Sequence, residues 1–291
     1  MITPELLAQV RRLTIRSRRA VEEVFSGAYR SAFRGQGLEF AEVREYVPGD
    51  DIRSIDWNVT ARAGRPFVKR FDEERELTVI VALDLSGSLA FGSRSRAKRD
   101  AAAEAGALLA LAAARNRDRV GLLLFTDRVE LFLPPGKSRS RALRIARELL
   151  AFEPEGRGTD LGTAFGFLHR VLRRRSVVFL ISDWRGADFD RPLSLLARKH
   201  DVVALDVADP LEREGPARGL LRVRDLETGK AAWVDASSRA ARGAWRAAVA
   251  RRGKELDQTF RRAGVPRLAL DAERPAAPVL IRYFERRAAA R

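Results

Sequence analysis

The texture of hydrophobic positions changes twice along this chain. Between residues 5 and 25, Leu6, Leu7, Val10, Leu13, Val21 and Val24 recur at helical spacing behind the start signal Thr3-Pro4, which predicts an amphipathic helix. From Ser26 to Asp72 the pattern fragments. Gly27, Gly35, Gly37, Pro48, Gly49 and Gly64 punctuate short aromatic and β-branched pieces, as in a small β-rich subdomain of short strands and turns. At Leu77 the run Leu77-Thr78-Val79-Ile80-Val81-Ala82-Leu83 is continuous rather than alternating, the mark of a strand covered on both faces.

From there helical and strand signals alternate. Helices are predicted over 96–115, 138–150, 161–172 and 192–199, and strands over 119–125, 129–132, 176–182 and 202–207. A hairpin follows over 220–224 and 231–234 around Thr228-Gly229-Lys230, then a long basic helix over 236–262 and a last strand over 266–270. Strands separated by helices of this length specify βαβ units, so the fold class is α/β, a doubly wound and mostly parallel sheet with helices on both faces. Three parts are expected: residues 1–75 as helix plus β-rich subdomain, 76–275 as the α/β domain, and 276–291 as a basic C-terminal tail.

Composition removes several chemistries. The 291 residues contain no cysteine, which excludes disulfides, thiolate metal sites and a cysteine nucleophile, and only two histidines, His169 and His200, in no HExxH arrangement. No apolar run approaches the roughly 20 residues of a membrane span, and no secretory leader is legible near Met1, so a cytoplasmic location is expected. The formal net charge is +16, with more than half of the excess after residue 235. A basic end of this kind fits a solvated arginine-rich helix face, and equally a polyanion or acidic partner.

Ligands of doubly wound sheets bind beyond the carboxyl ends of the strands. Three such ends carry oxygen donors: Asp84-Leu85-Ser86-Gly87-Ser88, the loop Gly156-Arg157-Gly158-Thr159-Asp160, and Ser182-Asp183-Trp184. Taken singly, each has a capping explanation, because Asp, Ser and Thr are preferred at helix starts. Taken together, Asp84, Ser86, Ser88, Thr159 and Asp183 form an all-oxygen set suited to Mg²⁺, with Mn²⁺ as the alternative. Such a set leaves a coordination position for an outside carboxylate.

The order and type of these five residues resemble the metal-ion-dependent adhesion site of von Willebrand factor type A domains over roughly Leu77 to Leu270. That resemblance implies hydroxyls bound directly to Mg²⁺, carboxylates acting directly or through water, and an acidic side chain of a protein partner completing the shell. The preceding segment, Gly35-Gln36-Gly37-Leu38-Glu39-Phe40, then Arg44-Glu45-Tyr46-Val47-Pro48-Gly49-Asp50-Asp51-Ile52-Arg53-Ser54-Ile55-Asp56-Trp57 and Ala61-Arg62, resembles the bacterial family called domain of unknown function 58. Many relatives there carry N-terminal membrane helices, whereas none is expected from this sequence. The resemblance implies partnership with MoxR-type AAA+ ATPases. In this signature, Asp50 or Asp51 is expected to accept backbone N–H bonds at the Pro48-Gly49 turn, Arg53 and Arg62 to pair with Asp56, Glu39 or Glu45, and Trp57 and Tyr46 to anchor the subdomain on the α/β domain.

The expected function is therefore a non-enzymatic, metal-dependent protein-interaction module, an adaptor or substrate-recognition partner of such an ATPase in assembly or maturation. Two alternatives belong to other classes. A Mg²⁺ phosphohydrolase would use Asp84, yet Ser86 stands where a second acid is usual, and no base is recognisable beside the hydroxyls. A nucleic-acid protein would use the basic C-terminal helix, yet there is no phosphate-loop motif, and charge alone gives affinity without sequence readout.

Overall fold

The computed structural model describes residues 26–33, 39–72, 76–186, 189–215 and 219–290, so the helix expected over 5–25 lies outside the described residues. In chain order the described elements are α1 (Ser26–Ala32), β1 (Glu39–Glu45), α2 (Trp57–Ala63), β2 (Phe67–Asp72), β3 (Thr78–Asp84), α3 (Lys98–Arg115), β4 (Arg119–Phe125), β5 (Val129–Gly136), α4 (Arg139–Ala151), α5 (Leu161–Val171) and β6 (Val177–Ser182). They continue with α6 (Asp190–Lys199), β7 (Asp201–Ala208), α7 (Pro210–Glu214), β8 (Leu220–Arg224), β9 (Ala231–Asp235), α8 (Arg239–Ala263), β10 (Arg267–Asp271) and α9 (Ala277–Ala289).

Six strands form the central sheet in the order β10-β7-β6-β3-β4-β5, parallel except for the antiparallel edge strand β5. The continuous apolar strands are buried on both faces. Val79, Val81 and Leu83 of β3 point into one core with α1, α3, α4 and α9, while Ile80 and Ala82 point into a second core with α5, α6 and the end of α8. The alanine-rich α3 lies close on the sheet, and a Cβ at Gly106 would already sit 3.0 Å from Leu149 and 3.1 Å from Val81. Sequence order runs outward from β3 through β4 to β5 and then returns to β6 on the other side. The carboxyl ends of β3 and β6 therefore flank the point where the winding reverses, the position at which such sheets bind ligands.

Two expectations about the ends of the chain are corrected. Residues 277–289, expected within a basic tail, form α9, whose Leu280 and Phe284 are fully buried. Phe284 meets Tyr29 and Phe33 edge-on at 5.5 and 5.6 Å, and Arg287 of the same helix pairs with Asp201 and lies over the Phe33 ring. The tail reading failed because arginines on the outer face masked the i, i+4 pair Leu280 and Phe284. By the same contacts α1 belongs to the α/β core rather than to the β-rich segment. Tyr29 donates its hydroxyl to Asp118, whose other oxygen accepts the Leu77 N–H at the start of β3.

The β-rich segment consists of the antiparallel pair β1–β2 with α2 between them. Within it, Arg44 grips Asp50 with two hydrogen bonds at 2.8 and 2.6 Å, Asp51 caps the turn at Arg53, Asp56 caps α2, and Arg65 pairs with Glu45. Trp57 does not anchor the segment on the α/β domain, because it is 67% exposed.

Candidate metal centre

The oxygen donors identified in the sequence sit at the reversal point of the sheet. Asp84, the last residue of β3, is completely buried. Its Oδ1 accepts the N–H of Ser86 at 2.8 Å, and its Oδ2 accepts the hydroxyl of Ser182 from the end of β6 at 2.6 Å. These bonds hold the chain in a tight turn in which Ser86 Oγ and Ser88 Oγ face each other at 3.2 Å. Ser86 stands at the start of a short 3-10 turn, Gly87–Ala90, but its side chain makes no capping bond. Helix α3 starts from Ala97. Capping therefore does not explain the two hydroxyls.

The second loop is tied directly to this turn. Gly87 N–H donates to the Arg157 carbonyl at 2.8 Å, and Asp160 N–H donates to the Thr126 carbonyl beyond β4. Asp160 caps α5 through Thr163, accepting its N–H at 2.9 Å and its hydroxyl at 2.7 Å. That leaves Thr159 outside the cap, with its hydroxyl donating at 2.8 Å to Glu227 in the β8–β9 connection.

Asp183 follows Ser182 and is buried. Its Oδ2 accepts the ammonium of Lys98 at 2.6 Å, and its Oδ1 accepts the Arg185 N–H at 3.3 Å. Lys98, fully buried at the first position of α3, also donates to Glu212 Oε1 at 2.7 Å, and Arg185 reaches that same oxygen at 3.0 Å. The next residue, Trp184, has φ of 59°, a left-handed conformation that costs a bulky residue about 1–3 kcal/mol. It is held there because the Trp184 N–H bonds to Ser182 Oγ, the indole N–H reaches the Leu205 carbonyl, and the ring meets Phe260 edge-on at 4.7 Å.

Several of these groups were not legible in the sequence. Lys98 is one of a run of basic residues, and nothing in its spacing separates it from solvated neighbours; Glu212 reads as a capping-box partner of Asp209, a role it also fills. Lys98 thus brings a buried ammonium to Asp183 and Glu212 that the sequence pattern did not reveal. Among the arginines of the basic helix α8, Arg252 turns its guanidinium in to the carbonyl of Trp184. On the same helix Trp245 and Val249 are only half-buried, and it packs against the body chiefly through Leu256 and Phe260.

The electrostatics favour a cation. Burial, and then the nearby charge of Asp183, push the Asp84 carboxyl up to about 7 from an ordinary 3.8. Among the described residues no three Asp, Glu or His side chains converge to hold an ion by themselves. A site here depends on hydroxyls, and Ser86 and Ser88 beside Asp84 supply hard oxygen donors of the kind small divalent ions prefer. These residues fit such an ion. Asp183 is different, because Lys98 and the Arg185 N–H already engage its two oxygens, which suits it to act by field or through water.

Comparison with known proteins agrees with this architecture. Residues 42–255 match the family described as protein of unknown function DUF58. An uncharacterised protein of Mycobacterium tuberculosis (strain H37Rv) is 32% identical over 287 residues, covering 98% of this chain and 90% of that protein. The magnesium-chelatase 60 kDa subunit of Cereibacter sphaeroides is 40% identical over 126 residues, covering 41% of this chain and 21% of that subunit. Among solved structures, an aerotolerance-related membrane protein of Bacteroides fragilis aligns with a TM-score of 0.50 at 15% identity, over 74% of this chain and all of that one, a likeness of fold. With a doubly wound sheet and a family match across most of its length, the chain belongs to the DUF58 family.

Proposed function

We propose that this protein is a non-enzymatic interaction module that recognises an acidic side chain of a protein partner through a divalent cation held at the ends of β3 and β6. The observation that carries the reading is the pair of uncapped hydroxyls, Ser86 and Ser88, turned toward each other 3.2 Å apart beside the buried Asp84. In this reading Ser86 and Ser88 hold the ion directly, Asp84 neutralises it from beneath, Thr159 borders it, and Asp183 acts through water. Mg²⁺ is the proposed ion and Mn²⁺ its substitute. When bound, the cation supplies a Lewis-acidic position that an incoming carboxylate can occupy.

The site offers little for turnover. Two carboxylates hold the Lys98 ammonium, and Ser86 stands where a phosphohydrolase would have a second acid. The resemblance of the signature segment supports a MoxR-type AAA+ ATPase as partner, with the present chain as adaptor or recognition subunit. Among the described residues no helix is long and apolar enough to cross a membrane. The test is a pull-down with the full chain and its D84A variant, with and without chelator. Capture of an AAA+ ATPase that needs the metal and Asp84 is the expected result; capture indifferent to both, or phosphatase activity lost in D84N, overturns the reading.

A further inference from the structure

The β8–β9 hairpin leaves the body between α7 and α8, and every residue of β8 is exposed, including Leu220, Val223 and its neighbours; on β9 Trp233 is exposed as well. A two-stranded hairpin in water is marginal by itself. This one is fastened at both ends. At its base Ala236 N–H donates to the Gly219 carbonyl, and Arg242 holds the carbonyls of Ala236 and Ser237. At its tip Asp225 organises the turn by accepting the N–H groups of Glu227 and Thr228 at 2.8 and 3.0 Å.

That organised tip lies on the candidate metal centre through two separate contacts. The Glu227 carboxylate accepts the hydroxyl of Thr159 at 2.8 Å. The Leu226 carbonyl crosses Gly87, between Ser86 and Ser88, so closely that a Cβ there would lie 2.5 Å from its oxygen. One neighbouring residue of the tip thus touches the glycine-flanked loop, and another touches the hydroxyl turn. A threonine hydroxyl that donates its proton to a carboxylate keeps its lone pairs for a cation. Glu227 also has a second oxygen beyond the one engaged by Thr159.

We infer that Glu227 is the site's own acidic ligand: the hairpin seats its tip carboxylate where the acidic side chain of a partner enters, and a partner must lift the hairpin to bind. The inference rests on the metal-dependent reading above and adds its regulation. It explains why a carboxylate is carried on an exposed two-stranded arm that packs little apolar surface, because an arm held by few contacts can be displaced at small free-energy cost. The reaction is an exchange of one carboxylate for another, so the hairpin acts as a threshold that excludes weak acidic competitors.

The experiment uses the full chain as wild type, E227Q and D84A, with Mn²⁺ as the probe ion followed by electron paramagnetic resonance and poly-L-glutamate as the acidic probe. Hydrogen exchange is measured across residues 224–230. Wild type is expected to bind Mn²⁺, to lose it in D84A, and to show metal-dependent slowing of exchange at the tip that E227Q lacks. Mn²⁺-dependent binding of poly-L-glutamate is expected to tighten about tenfold in E227Q, a difference of about 1.4 kcal/mol, because the competing carboxylate is gone. If Mn²⁺ binds and D84A abolishes it, while tip exchange and poly-L-glutamate affinity are the same in wild type and E227Q, the self-ligand is refuted and the metal site stands. If neither wild type nor E227Q binds Mn²⁺, the metal reading falls and the self-ligand falls with it.

Discussion

Replacing Asp84 by asparagine removes a charge from a fully buried position while keeping the side chain's shape. Below pH 3.8 the wild-type carboxyl is neutral in both folded and unfolded chains. As pH rises, the unfolded chain ionises first and the folded chain holds its proton until about 7, so the stability present at low pH is lost progressively across that window. Between 3.8 and about 7 the loss amounts to about 4 kcal/mol, at about 1.4 kcal/mol per pH unit. Asparagine retains the acceptor for Ser86 N–H but presents an amide N–H₂ where Asp84 Oδ2 accepts the Ser182 hydroxyl. Ser182 must then turn to accept, at a cost of about 1–2 kcal/mol. D84N is therefore expected to be more stable than wild type by about 2 kcal/mol at pH 8 without divalent ions, and less stable by about 1 kcal/mol at pH 4. Urea denaturation at pH 4, 6 and 8 in chelator measures both. Added Mg²⁺ should stabilise wild type at pH 8 and leave D84N unchanged. A D84N variant destabilised by the same margin at every pH would show that the buried charge has no such cost, and would falsify the argument.

Other features give sharper single readings. K98M leaves the carboxylates of Asp183 and Glu212 without the buried ammonium and should cost about 3–5 kcal/mol in thermal or urea unfolding, whereas an ordinary surface pair would cost under about 1 kcal/mol. F284A empties a fully buried aromatic site beneath Tyr29, Phe33 and Phe179 and should cost about 3–5 kcal/mol, a loss that a solvated tail could not produce. Binding of duplex DNA through the outer face of α8 should be weak, indifferent to sequence and steeply reduced by salt, and changing Arg251 and Lys254 together to Glu should weaken it further; salt-resistant, sequence-selective binding in a gel-shift series would contradict this.

The sequence alone determined the sheet. Runs such as Val79–Leu83 and Val177–Ile181, apolar without alternation, can be satisfied only by burial on both faces, and helices between them force parallel neighbours, so the elements from β3 to β10, the short α7 excepted, were readable to within a few residues. That Asp84, Ser86, Ser88 and Asp183 lie at one edge was readable for a related reason, since residues directly after buried strands must gather there, whereas Thr159 follows a helix and its loop is tied to that edge by the Gly87–Arg157 bond. Which groups meet them was decided by tertiary structure. Lys98 lies 85 residues from Asp183, and Glu227 lies 68 residues from Thr159. Local periodicity carries no information about such contacts, because a charged residue has the same spacing whether it ends in solvent or against a carboxylate. The burial of Phe284, the exposure of Trp57 and the inward turn of Arg252 have the same origin: each depends on which surface the rest of the chain leaves uncovered, a property of the packed molecule and of no segment within it.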